Sequence, residues 1–219
     1  SSTKWLEQFP TNMGVFSKRS IQMIRKAQCA YGWDWGMSLP DAGIWKPVSL
    51  KCYSAGRIDG LLVLQHHRDG AVDLEFRPEV QAWGGGALSL KIAVIAPDGS
   101  ERRVVLPVQA GSPVPPAFID IPDPELWWPR GYGKQPLYTV KATLKDGAAT
   151  LDEKVLRIGL RTISLRREKD QWGRSYEFVI NGKALYMQGA NLIIEDSVLG
   201  HVTPERTRRM LRDSAKANF

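Results

Sequence analysis

Two tryptophans flank one carboxylate between glycines in the stretch Gly32, Trp33, Asp34, Trp35, Gly36. Indole faces stack on the apolar faces of sugar rings or pack a core, and an aspartate between them accepts hydrogen bonds from hydroxyls. Glycines on both sides permit backbone angles that bring such a loop close to a ligand. The same residues have a plainer use, with Trp33 and Trp35 in a core and Asp34 capping a turn. A second acidic feature, Glu195 and Asp196, is a pair of sequence neighbours whose side chains are expected to point apart. Both are expected in a solvated loop, not as paired acid and base. Trp127, Trp128 and Tyr132 gather among Pro129, Gly131 and Gly133, a cluster that could serve as a sugar platform but is expected to pack the end of a sheet under a rigid loop. Cys29 and Cys52 have no metal-ligand spacing with His66, His67 or His201, so no metal site is expected and the thiols read as free.

Elements of mainly β character must position these residues. Val72, Leu74 and Phe76 alternate with Asp73, Glu75 and Arg77, which turns one face inward and a charged face to water. Leu88, Leu90, Ile92 and Val94 repeat the period before the hairpin signal Pro97, Asp98, Gly99. Val104 to Val108, then Phe118, Ile119 and Ile121, are further extended pieces. Tyr138, Val140, Ala142 and Leu144 alternate ahead of Asp146 and Gly147, and a last strand is expected near Val155 to Leu165. About seven such strands without a long helical pattern predict an antiparallel sandwich of immunoglobulin type over residues 54–167.

The flanks differ. Residues 1–24 mix Trp5, Phe9 and Phe16 with the breakers Pro10 and Gly14. From Arg25 the chain is strand-like, passes the tryptophan loop, and is expected to return as a strand from Ile44 to Tyr53, with Pro47 at its start or at an edge. Beyond Trp172, Asn181 and Gly182 form a hairpin turn between Tyr176 to Ile180 and Leu185 to Gln188. Thr203, Pro204 and Glu205 then mark a helix start, and Met210, Leu211, Ser214 and Ala215 give it an apolar stripe to about Ala217.

The chain has 219 residues, of which 43% are hydrophobic and 24% charged, as in ordinary globular domains. No uncharged apolar run of about 18 residues occurs, so no membrane span is expected. The formal charge of +7 raises nucleic acid as a partner. However, Arg161, Arg166, Arg167, Arg206, Arg208, Arg209 and Arg212 are dispersed among acids and accompany no binding motif, so none is expected.

Several strings together resemble the β-mannosidases of glycoside hydrolase family two. These are RKAQ at 25–28, GWDWG at 32–36, Gly43-Ile44-Trp45 with Lys46-Pro47-Val48, WWPRGYGKQPLY at 127–138, IGLR at 158–161, and FVINGKALYMQGAN followed by EDS at 178–197. The resemblance implies that residues 1–53 are the end of a sugar-binding jelly roll and 54–167 a complete central sandwich. It implies that residues 168–219 are the opening hairpin, first strand and first helix of a (β/α)8 barrel. It further implies that Asp34 binds hydroxyls of a terminal mannose, that Trp33 and Trp35 shape the pocket, and that Arg161 serves a domain junction. This chain has Met37 where the family usually has proline, and Leu192 and Ile194 where it has tryptophan and proline. Retaining hydrolysis takes two carboxyl groups roughly 5 Å apart, and the family places both glutamates late in the barrel. The chain is therefore expected to be an inactive fragment of an exo-acting, cofactor-free enzyme whose partners are a β-mannoside and the rest of its own polypeptide, in a cytoplasmic or periplasmic setting. Rival expectations are a non-catalytic carbohydrate-binding or adaptor module and a sister activity of the family, exo-β-glucosaminidase or β-glucuronidase.

Overall fold

The computed structural model describes residues 25–39, 42–44, 46–84 and 86–219. The expectations for residues 1–24 and for Trp45 lie outside these. The chain divides into two compact units, one of residues 1–50 with 188–219 and one of residues 51–187.

In the first unit, β1 (Tyr31–Trp33) and β2 (Gly36–Ser38) pair antiparallel, with Tyr31 opposite Ser38 and Trp33 opposite Gly36. Asp34 and Trp35 are left as a two-residue turn. Gly32 has φ +106°, a backbone that residues with a Cβ rarely adopt. A short 3-10 turn, Gln28–Ala30, leads into β1, and the Leu39 amide donates to the Ala30 carbonyl at 3.0 Å, which closes the base of the hairpin. The strand expected from Ile44 to Tyr53 does not form among the described residues. Pro47 lacks an amide donor, and Ile44, Val48 and Leu50 stand exposed, with no strand beside them among the described residues. Helix α1 (Pro204–Lys216) starts where the sequence signals it: the Thr203 hydroxyl accepts from the Arg206 amide at 3.2 Å, and Pro204 takes the first helical position.

The second unit is a sandwich. Its strands are β3 (Gly56–Arg68), β4 (Ala71–Ala82), β5 (Leu88–Ile95), β6 (Glu101–Val108), β7 (Ala117–Pro122), β8 (Tyr138–Asp146) and β9 (Ala149–Ile158). They form an antiparallel sheet ordered β3-β4-β7 and another ordered β6-β5-β8-β9, the arrangement of an immunoglobulin-type fold. Val72, Leu74 and Phe76 from the first sheet meet Leu90, Ile92, Val94, Val140 and Leu144 from the second, all nearly inaccessible to solvent. This burial is the main term holding the unit together. At the start of β8, the buried Tyr138 hydroxyl accepts the Glu125 amide at 2.9 Å, tying the β7–β8 crossover to the core, and burial raises the phenol's pKa.

The outward face of β4 differs from a simple solvated face. Glu75 is buried, because the Arg77 Nε and His66 Nε2 lie 2.6 and 2.8 Å from its carboxylate. Strand β3 is an edge whose register shifts between Ile58 and Gly60. There the Ile58 amide donates to Asp152 Oδ2 at 2.8 Å, and Lys154 Nζ donates to the Asp59 carbonyl at 2.6 Å.

The strand expected near Val155 to Leu165 is interrupted. β9 stops at Ile158, and β10 (Ile163–Arg166) joins a separate three-stranded sheet with β11 (Glu177–Ile180) and β12 (Lys183–Leu185). At the break the chain pairs with the β7–β8 crossover, the Trp127 amide donating to the Leu160 carbonyl at 2.8 Å. Trp127 packs so closely on Gly159 that a Cβ there would lie 2.7 Å from its ring, and Leu160 is fully buried. The turn between β11 and β12 is Asn181 and Gly182, with φ of +49° and +78°, the backbone of a two-residue hairpin turn. Among the described residues no helix is long and apolar enough to cross a membrane.

Candidate functional site

The hairpin β1–β2 carries all three residues singled out for sugar contact. Asp34 occupies the turn, and Trp33 and Trp35 stand on either side with ring centroids 6.5 Å apart and planes tilted by 43°. Each indole remains about two-fifths exposed, at 42% for Trp33 and 40% for Trp35, and Asp34 is exposed. The carboxylate has no hydrogen-bond partner among the described residues. A turn that presents an acceptor between two half-open indoles can hold a hydroxylated ring by stacking and hydrogen bonding. One carboxylate cannot carry out retaining hydrolysis, which takes two.

In the same unit, the loop before α1 and the segments flanking the hairpin bound a cavity of about 340 Å³. Arg25, Cys29 and Ala30 line one side, and Ile194, Ser197 and Leu199 the other. Glu195 and Asp196, expected in a solvated loop, are instead half-buried in this loop and fastened to α1. Arg206 donates to the Glu195 carbonyl at 2.6 Å and to Asp196 Oδ2 at 3.0 Å. Thr207 Oγ1 donates to Glu195 Oε1 at 2.5 Å. The Val198 amide, at 2.9 Å from Asp196 Oδ1, and then Arg206 hold the Asp196 carboxyl below the usual carboxylate range. This fastening was not legible beforehand. The sequence shows a helix cap at Thr203, but nothing in it says where the Arg206 side chain turns.

The second aromatic cluster lies in the sandwich unit and is committed to packing. Trp127 covers Gly159, with the Arg161 guanidinium 4.9 Å from its ring centroid, and Trp128 covers Gly133 so closely that a Cβ there would lie 2.8 Å from the indole. Tyr132 donates its hydroxyl to the Tyr186 carbonyl at 2.8 Å. Asn181 links three segments. Its Oδ1 accepts the Thr162 amide at 3.0 Å, its Nδ2 donates to the Trp127 carbonyl at 3.1 Å, and its own amide donates to the Thr162 carbonyl at 3.2 Å. Among the described residues no group of three or more His, Cys, Asp or Glu side chains is placed to hold a metal ion.

Comparison with known proteins adds the following. Residues 57–161 match the family model described as glycosyl hydrolases family 2, and residues 2–46 match the glycosyl hydrolase 2 galactose-binding domain-like model. The chain is 33% identical over 190 residues to beta-mannosidase B of Emericella nidulans, covering 86% of this chain and 22% of that protein. It is 29% identical over 207 residues to the beta-mannosidase of Mus musculus, covering 91% of this chain and 24% of that one. A solved structure, the beta-D-mannosidase of Dictyoglomus thermophilum, superposes with a TM-score of 0.83 at 29% identity, covering 96% of this chain and 27% of that chain. The chain thus spans 22 to 24% of the length of these curated relatives.

Proposed function

We propose, for a chain that carries glycosyl hydrolase family 2 domains, that it is part of a retaining exo-β-mannosidase that releases terminal β-D-mannose from β-mannosides. In this reading residues 1–53 close a sugar-binding domain, residues 54–167 are the central sandwich, and residues 168–219 open a catalytic barrel. Asp34 accepts hydrogen bonds from the sugar's hydroxyls, and Trp33 and Trp35 shape the pocket around it. The observation that carries the reading is the exposed carboxylate in a two-residue turn between two part-open, mutually tilted indoles, in a chain similar to proteins named beta-mannosidase. The partners are the mannoside and the remainder of the same polypeptide.

The test is Asp34→Ala in the full-length enzyme. Hydrogen bonds to a charged group contribute about 1.5–3 kcal/mol, so kcat/KM on a nitrophenyl β-mannoside falls about 10–100-fold. An unchanged kcat/KM removes Asp34 from the site. The 219-residue chain, with neither catalytic glutamate, shows no turnover of the same substrate, and measurable hydrolysis by the pure chain sinks that part of the reading. The open indole pair also suits a non-catalytic carbohydrate-binding module. Calorimetry of mannose with the isolated chain separates the two, because a subsite completed by other domains binds little by itself. Relative rates on β-mannosides, β-glucosaminides and β-glucuronides separate the sister activities.

A further inference from the structure

Arg206 sits on the exposed side of α1, in the helix's first turn, yet it makes the contacts of a keystone. One guanidinium nitrogen holds the Glu195 carbonyl and another the Asp196 carboxylate, at 2.6 and 3.0 Å. A planar fork fixes two acceptors at once with a geometry that a flexible ammonium does not reproduce. Beside it, the Glu195 side chain is only 12% exposed. Its Oε1 accepts from Thr207, whereas its Oε2 is buried without a hydrogen bond and lies 3.9 Å from the Arg206 Nε. A carboxylate in that position stays in place while a cation is near, because an uncompensated buried charge is strongly destabilising.

The loop held in this way has Ile194, Ser197 and Leu199 against the cavity, and the opposite wall is Arg25, Cys29 and Ala30. Ala30 leads directly into β1, and its carbonyl accepts the Leu39 amide that closes the β1–β2 hairpin. The Arg206 fork therefore fixes one wall of the cavity whose other wall is the root of the tryptophan hairpin.

We propose that Arg206 is a positioning residue for the sugar site: by locking the 194–199 loop it sets the place of the β1–β2 hairpin, and so of Asp34. The proposal rests on the reading of Asp34 given above. Without Arg206, Glu195 and Asp196 turn out to water, the loop leaves the cavity wall, and the hairpin loses its backing.

A double-mutant cycle in the full-length enzyme tests this, with Arg206→Ala, Asp34→Ala and the pair measured on a nitrophenyl β-mannoside. Misplacement of a contact group lowers kcat/KM by about ten-fold or more, so Arg206→Ala should cost about that, mainly through KM. Arg206→Lys should recover part of the loss, and Thr207→Val, which removes one hydroxyl, should reproduce a smaller loss. Residues acting through one another are not additive, so in the Asp34→Ala background the further loss from Arg206→Ala should shrink below about two-fold. If Asp34→Ala impairs the enzyme while Arg206→Ala does not, or if the two losses multiply, the positioning role is wrong and the sugar site stands. If Asp34→Ala itself changes nothing, the site reading fails and this inference goes with it.

Discussion

At the scale of single residues, Glu75 shows how a charged side chain becomes buried on an outward-facing strand. Arg77 first, and then His66, hold its carboxyl below the ordinary carboxylate range. A carboxyl whose pKa is depressed on folding contributes stability above its unfolded pKa and loses it as pH falls through the folded value. The chain should therefore lose this contribution as pH drops below the ordinary carboxylate range, and Glu75→Gln should not. Urea midpoints measured between about pH 6 and about pH 3 should fall less steeply for Glu75→Gln than for the parent. Parallel profiles would mean that the pairing adds nothing to folding. The alternation Val72, Leu74, Phe76 made the inner face of β4 legible in the sequence. The fate of Glu75 was hidden, because His66 reaches it from the neighbouring strand.

At the scale of elements, Asn181 does two things at one position. Its left-handed backbone makes the β11–β12 turn, and its amide group ties that turn to Thr162 and to Trp127, the latter 54 residues away in sequence. Two substitutions separate these roles. Asn181→Gly keeps the turn and loses the side-chain bonds, which should cost about 1–2 kcal/mol. Asn181→Ala loses the bonds and, unlike the glycine variant, keeps a Cβ in the left-handed backbone without asparagine's local tolerance for it, so it should be about 1–2 kcal/mol less stable than Asn181→Gly. Chemical denaturation of the three proteins reads the difference directly, and equal stabilities for the glycine and alanine variants would refute the backbone part. The Asn-Gly signal marked this turn from sequence because the signal is local. The interruption between β9 and β10 was not marked, because it arises where Trp127 meets Gly159, residues far apart in the chain. Residues 44–53 have suitable local propensity, but a strand also needs a partner, and none lies beside them among the described residues.

At the scale of the whole molecule, the sandwich was legible and the fastening of the loop before α1 was not. Seven strands with a period of two, separated by turn signals, leave few ways to bury their apolar faces. The pairing of Arg206 with Glu195 and Asp196 leaves no periodic trace. The tryptophan hairpin lies between these extremes: its residue types suit the sugar contact proposed above, while its two-residue turn and ring tilt are products of the folded chain. An antiparallel sandwich with open edges carries a hazard, and β3, a 13-residue strand, is the longest invitation here. Its shift at Asp59, with the Ile58 amide and the Asp59 carbonyl occupied by Asp152 and Lys154, denies a second molecule the hydrogen bonds needed to add a strand. Removing both caps with Asp152→Ala and Lys154→Ala should leave the fold in place but open a seam for polymerisation, seen as thioflavin-positive fibrils and rising light scatter under conditions where the parent stays clear. On this account two side chains from β9 serve as sentries against self-association, a task that has nothing to do with sugar.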